Sequence, residues 1–189
     1  GGIVGAGVAR DAAMRGLSTA LVEQRDFAAG TSSRSSRLLH GGIRYLAQGR
    51  MGLVLEASRE KRVIGKIAPH LAQPLAFIFP SRKGSSWVLW QLAIGIKLYD
   101  TLCGMRNFGR SSVFGKKKTQ EVLRGISPDK LTGAVRYFDA LTNDARLVID
   151  TIRSAVQHGA NAINYARLTT ASRRGDVWQC TLEDAETGS

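Results

Sequence analysis

Apolar residues recur along this chain with two different periods. Over 53–68 the period is helical: Leu53, Ala57, Ile64, Ile67 and Ala68 fall on one face, while Glu56, Arg59, Glu60 and Lys66 lie mostly elsewhere. This predicts a helix ended by Pro69, whose ring removes a backbone donor. A second amphipathic helix is predicted from a cap at Asn143 or Asp144 to about His158, with Leu147, Ile149, Ile152, Ala155 and Val156 apolar and Gly159 as its stop. Residues 5–15 also read as helix, with small residues (Ala6, Gly7, Ala9, Ala12, Ala13) over much of the surface and Gly16 as the stop. Short apolar runs bounded by turn residues predict strands at 18–23, 75–79, 133–139, 162–166, 168–173 and 177–183. The longest apolar run, 87–102 (WVLWQLAIGIKLYDTL), is interrupted by Lys97 and Asp100 and as a helix would span about 24 Å, short of a bilayer. It is expected as a buried helix of a second layer, an interfacial helix with paired tryptophans being the alternative. Residues 25–42 are expected as loop with a helical turn, 104–118 as a basic surface loop, 119–124 as a short helix, and 185–189 as the turn of a hairpin without its partner strand.

The opening GGIVGAG is a glycine-rich loop leading straight into a helix and then a strand. Loop, helix and strand in that order are the front of a βαβ unit whose first strand is missing. The expectation is therefore a piece of a longer protein, an α/β Rossmann-like fold truncated at both ends. Glycine matters in such a loop because a side chain would block close approach of a pyrophosphate, and the following helix offers N–H groups and a positive dipole end to the anion. By itself the loop could also be a ligand-free glycine turn. Glu23 adds to it, standing at the end of the predicted strand, where a carboxylate can accept both ribose hydroxyls of an adenosine. An ordinary charged strand end is the plain alternative. Loop and acid together favour NAD or FAD over NADP, whose extra phosphate an acid repels.

The stretch 31–46, TSSRSSRLLHGGIRYL, separates FAD from NAD. Thr31, Ser32, Ser33, Ser35 and Ser36 supply hydroxyls and amides for a phosphate and a ribityl chain. Gly41 and Gly42 allow the main chain close to a flat ring, and Arg44 and Tyr45 add a cation and a hydroxyl. A nicotinamide domain has no evident need of this stretch, and a merely polar loop does not explain the double glycine between His40 and Arg44.

Composition narrows little further. The 189 residues suffice for one good core, or one domain with an inserted second layer, and are 43% hydrophobic. The net charge of +12, from 27 Lys and Arg against 15 acids, suits nucleic acid, an anionic membrane or a small phosphorylated substrate. Lys116, Lys117 and Lys118 read first as a solvated loop, next as a lipid contact. Nucleic acid comes last, because no recognition motif is present and aromatics are not interleaved with the basic residues. Cys103 and Cys180 form no C-x-x-C motif, so no disulfide and no metal site are expected.

The residues 1–46, together with LVLEASREKRVIGKIAPHLAQPLAF, KLYDTL and YFDALTNDARLV, resemble the FAD-dependent glycerol-3-phosphate dehydrogenases, respiratory flavoenzymes that pass electrons to quinone. The resemblance runs across nearly the whole chain, and TSSxSS followed by LxHGGxRYL is its most specific part. It implies an FAD-binding fold in two parts, 1–70 and 141–189, with a substrate (cap) domain part at 71–140. It implies that Gly1, Gly2, Gly5 and Gly7 approach the FAD pyrophosphate, with Glu23 on the ribose. Thr31, Ser32, Ser33, Ser36 and Arg37 would lie along the cofactor, His40, Gly41 and Gly42 near the flavin, and Ala166 or Arg167 at the adenine through backbone. Arg44 and Tyr45 would face the substrate, the guanidinium matching phosphate geometry. Arg37 stands where the family often has Lys, and Val4 and Asn143 also differ from common family residues. The implied reaction oxidises sn-glycerol 3-phosphate to dihydroxyacetone phosphate. Its histidine base and other arginines belong to later sequence, so no residue here is assigned as catalytic, and His40, His70 and His158 are read as cofactor-side or structural. A peripheral position on the cytoplasmic face of the membrane is implied, with a homodimer among the assemblies left open. Rival readings are another FAD-dependent oxidase acting on an amine or amino acid, and a non-enzymatic basic module for lipid or nucleic acid.

Overall fold

The alanines Ala6, Ala9 and Ala13 share one side of the first helix and are almost fully buried. The computed structural model describes residues 1–104 and 108–189; the side chains of Arg44 and Ala47 also lie outside the described residues. In chain order the elements are α1 (Ile3–Met14), β1 (Ala20–Val22), β2 (Leu38–Leu39), α2 (Ile43–Ala47), α3 (Met51–Ile67), β3 (Gln73–Arg82), α4 (Leu89–Leu102), β4 (Ser112–Gly115), α5 (Lys116–Val122), β5 (Leu131–Leu141), α6 (Asp144–Gln157), β6 (Asn161–Ile163), β7 (Ala166–Arg174) and β8 (Val177–Asp184). Short 3-10 turns lie at Thr31–Ser33 and Pro69–Leu71.

The chain divides into two compact units, 1–37 with 143–189, and 38–142. In the first, the alanine side of α1 meets α6, where Val148, Ile152 and Ala155 are buried. Small residues on α1 let the two helix backbones approach, and the branched residues of α6 fill the space. Asn143 starts α6 by accepting the Arg146 N–H at 3.0 Å, as its sequence position predicts. Strands β1 and β6 pair in parallel, Leu21 opposite Ala162, and β7 and β8 form an antiparallel ribbon. Parallel pairing needs a long crossover between its strands, and here the whole second unit lies within it.

The second unit is built on β5. Strands β2, β3 and β4 all pair with it antiparallel. Helices α3 and α4 pack on each other, and α4 also packs on β5.

Three expectations fail in this unit. Residues 104–118 are not one surface loop: 112–115 form β4, and the three lysines open α5, where Thr119 is buried and bonds back to the Gly115 carbonyl. The buried side of α3 is Val54, Ser58 and Lys61, whereas Leu53 is exposed and Ile67 is 67% exposed. The 87–102 stretch is not a buried helix either. Ile96, Tyr99 and Asp100 are buried on α4, but Trp90 is 63% exposed and Ile94 is exposed beside it. Among the described residues, no helix is long and apolar enough to cross a membrane.

Candidate functional site

In the first unit, the glycine loop is shaped by its neighbours. A Cβ on Gly1 would stand 2.7 Å from Cβ of Glu23, and one on Gly2 would stand 3.1 Å from Ser32 Oγ. Gly2 is the N-cap of α1, in extended conformation with no side chain to cap the helix, and the first turn carries no acid. Ser32 supplies part of the cap from elsewhere: its Oγ accepts the Ile3 N–H at 3.0 Å. The loop and the serine turn predicted separately from sequence are thus joined at one helix start. Gly5 makes only ordinary contact with Leu21, and Gly7 lies within α1 with open space where a Cβ would be. Close approach gives no reason for glycine at Gly7.

The Glu23 carboxylate accepts the Arg25 N–H at 2.9 Å. The Arg25 amide holds its pKa below the ordinary glutamate value of 4.5. A carboxyl with a depressed folded-state pKa stabilises the fold above its unfolded value and loses that contribution as pH falls through the folded one. Glu23→Gln is therefore expected to lower stability at neutral pH, with the difference from wild type shrinking as pH falls below about 4.5. Urea unfolding at a series of pH values checks this, and parallel curves for the two proteins would refute it. The Ala166 N–H donates to the Glu23 carbonyl at 2.9 Å, so the two residues assigned to the adenosine end are neighbours. Arg167 points elsewhere, toward Glu183 at 3.8 Å.

The remaining serines serve the turn itself. Ser33 bonds the Gly30 carbonyl, and Ser35 donates to Asp144 on the first turn of α6 while accepting the Arg37 N–H at 2.9 Å. Arg37 adopts a left-handed φ of 57°. Thr31, Ser36 and Arg37 are exposed.

The other predicted corner lies in the second unit. His40 is exposed, while Gly41 and Gly42 are buried. Gly42 has φ +73°, and a Cβ on it would meet the Tyr45 ring at 2.5 Å. Arg44 falls in α2 with its side chain outside the described residues. The Tyr45 ring is half-buried, packed at the edge of a cluster of Val54, Tyr99 and Cys103. The Gly41 N–H donates to Asp139 Oδ1 at 3.1 Å. The same oxygen takes Lys61 Nζ at 2.7 Å and the Tyr99 hydroxyl at 2.9 Å. Lys61 and Asp139 side chains are 2% and 4% exposed. Burial first, then the Asp139 charge, push the Tyr99 hydroxyl far above an ordinary tyrosine pKa, so it remains a donor. Beside it, Ser58 Oγ lies 3.0 Å from Cys103 Sγ, and both cysteines are free.

The sequence profile described as FAD dependent oxidoreductase (DAO) matches residues 1–189. The chain belongs to the DAO family of FAD-dependent oxidoreductases. Among curated relatives, the aerobic glycerol-3-phosphate dehydrogenase of Bacillus subtilis (strain 168) is 40% identical over 168 residues, 89% of this chain and 30% of the relative. Among solved structures, the glycerol-3-phosphate dehydrogenase of Bacillus halodurans complexed with FAD matches 100% of this chain and 30% of that one, at TM-score 0.70 and 28% identity. The FAD-bound L-α-glycerophosphate oxidase of Mycoplasma pneumoniae, at 16% identity and TM-score 0.65, shares the fold. The chain spans about 30% of the length of the dehydrogenases it matches.

A DAO-family cofactor carries two phosphates and an adenosine, and the first unit offers chemistry to match. The start of α1 presents backbone N–H groups with neither an acid in its first turn nor a capping side chain on Gly2, a fit for an anion. Glu23 adds a carboxylate acceptor suited to ribose hydroxyls. Sequence reasoning missed Lys61, Asp139 and Tyr99. One signal was available for Lys61: it continues the Val54–Ser58 side of α3 at i+7, so a lysine sat on a helix face that turns out to be interior.

Proposed function

We propose that this chain is the FAD-binding amino-terminal part of an enzyme that oxidises sn-glycerol 3-phosphate to dihydroxyacetone phosphate. The 40% identity with an aerobic glycerol-3-phosphate dehydrogenase over 168 residues carries this reading. The amides at the start of α1 and the turn at Gly1, Gly2 and Ser32 hold the pyrophosphate. Glu23 accepts from ribose hydroxyls, and Ala166 borders the adenine by its backbone. Thr31, Ser33, Ser36 and Arg37 line the phosphate and ribityl chain, and His40, Gly41 and Gly42 border the flavin. Arg44 binds the substrate phosphate, where a guanidinium fork matches two oxygens, and Tyr45 stands beside it. When bound, FAD supplies the two-electron acceptor for the hydride leaving C2. The proton leaving the C2 hydroxyl goes to a base that we assign to no residue of this chain. The electrons pass on to quinone, and the exposed Lys116, Lys117 and Lys118 support contact with an anionic membrane surface.

The full-length protein, purified with its flavin, provides the test. Anaerobic glycerol 3-phosphate should bleach the visible flavin absorption, and a panel of amines and amino acids should not. Bleaching by an amino acid alone would replace this reading with that of an amino-acid oxidase. A colourless protein that stays colourless in FAD would end it. Arg44→Ala should raise KM for glycerol 3-phosphate by about tenfold or more, with flavin content unchanged; an unchanged KM removes Arg44 from the site.

A further inference from the structure

The second unit buries an ion pair that the reaction itself does not call for. A buried ion pair adds little net stability over well-packed apolar residues of similar volume. Here one carboxylate oxygen, Asp139 Oδ1, gathers Lys61 Nζ, the Tyr99 hydroxyl and the backbone N–H of Gly41. The Tyr99 hydroxyl also lies 3.3 Å from Lys61 Nζ, so the three side chains lock one another. Gly41 is pressed onto this lock: a Cβ there would run into the Tyr99 hydroxyl and stand 2.9 Å from Ser58 Oγ.

The corner is held on both flanks as well. Before it, Leu39 pairs with Ala140 in the sheet. After it, Gly42 turns left-handed, and its carbonyl accepts the Tyr45 N–H at 2.7 Å. Among the described residues no peptide bond is cis. In a planar trans peptide the N–H and C=O point opposite ways. With the Gly41 N–H turned inward to Asp139, the His40 carbonyl is turned away from the lock.

We infer that Lys61, Asp139 and Tyr99 are positioning residues for the flavin, fixing the Gly41 peptide plane and hence the face that the His40–Gly41–Gly42 corner offers to the ring. This rests on the proposed place of that corner at the flavin. None of the three touches a reacting atom. Their effect passes through one backbone amide.

Two neutral pairs separate positioning from bulk stability in the full-length flavoprotein. Lys61→Met with Asp139→Asn removes both charges but keeps an oxygen for the Gly41 N–H. Lys61→Met with Asp139→Leu removes both charges and the oxygen. Hydrogen exchange over 38–46 in flavin-free protein, visible circular dichroism of bound FAD, and the rate of FAD reduction by glycerol 3-phosphate are compared. The Leu pair should exchange the Gly41 amide about tenfold faster than the Asn pair. It should also change the flavin dichroism and reduce FAD about tenfold more slowly at similar KM. Equal exchange and equal rates in the two pairs would overturn the inference. Should the Leu pair not fold, Tyr99→Phe decides: it takes away one oxygen, and should speed exchange over 38–46 and slow reduction by about threefold. No change in either measure would again overturn it. Wild-type protein that holds FAD but is not reduced by glycerol 3-phosphate refutes the substrate reading, while exchange and dichroism still judge the positioning. Wild-type protein that takes up no FAD refutes the cofactor reading, and exchange in the apoprotein still shows whether Asp139 fixes the corner.

Discussion

Gly41→Ala is expected to destabilise the second unit by about 3 kcal/mol. The added methyl would overlap the Tyr99 hydroxyl and crowd Ser58 Oγ. A side-chain tip can usually move aside, but this one cannot do so freely. Tyr99 is fully buried, and its hydroxyl is tied to Asp139 and Lys61. Moving the ring breaks those bonds, while moving Gly41 breaks its own bond to Asp139. A whole domain is stable by only about 5–15 kcal/mol, so such a loss is large. Urea unfolding of the full-length protein with and without the substitution measures it. A midpoint matching wild type would show that the corner has room the structure does not reveal.

Asp139→Ala should do more damage, about 3–5 kcal/mol, because it removes the carboxylate that pairs with the buried Lys61 ammonium at 2.7 Å. It also takes the acceptor from the Gly41 amide and from the Tyr99 hydroxyl. Part of the loss is the charge left on Lys61, so adding Lys61→Met should return some stability. A double-mutant cycle reads this directly. A loss below about 1 kcal/mol for Asp139→Ala would mean that the lock is dispensable to folding.

Local signals carried much of the architecture. Helix α6 announced itself by its asparagine cap, its apolar period and Gly159, and the structure places it within a residue of the expected span. The early strand after the glycine loop, the proline-ended α3 and the strands β7 and β8, though not their pairing with each other, were likewise legible from composition and period. The failures share a cause, which is long-range pairing. Strand β4 is four residues with a lysine run behind it, and becomes a strand because Ser112–Gly115 finds β5 about twenty residues on. The side of α3 that enters the core was misjudged because Lys61 meets Asp139 across 78 residues of sequence. A charged residue on a helix reads as solvent-facing unless its counter-charge is known in advance. The same held for the glycine loop. Its glycines were visible, but that Ser32 would complete the helix cap from a separate turn was not.

The first unit is assembled from both ends of the chain, 1–37 and 143–189, with the second unit whole between them. During synthesis, α1 therefore leaves the ribosome with its alanine side uncovered, and α6 and β6 follow only after roughly 130 further residues. By then β2, β3 and β4, the strands that pair with β5 among the described residues, have all been made along with it. Of the two units the first gathers its partners later, so a ribosome stalled before residue 143 displays a paired sheet on a host still waiting for α6.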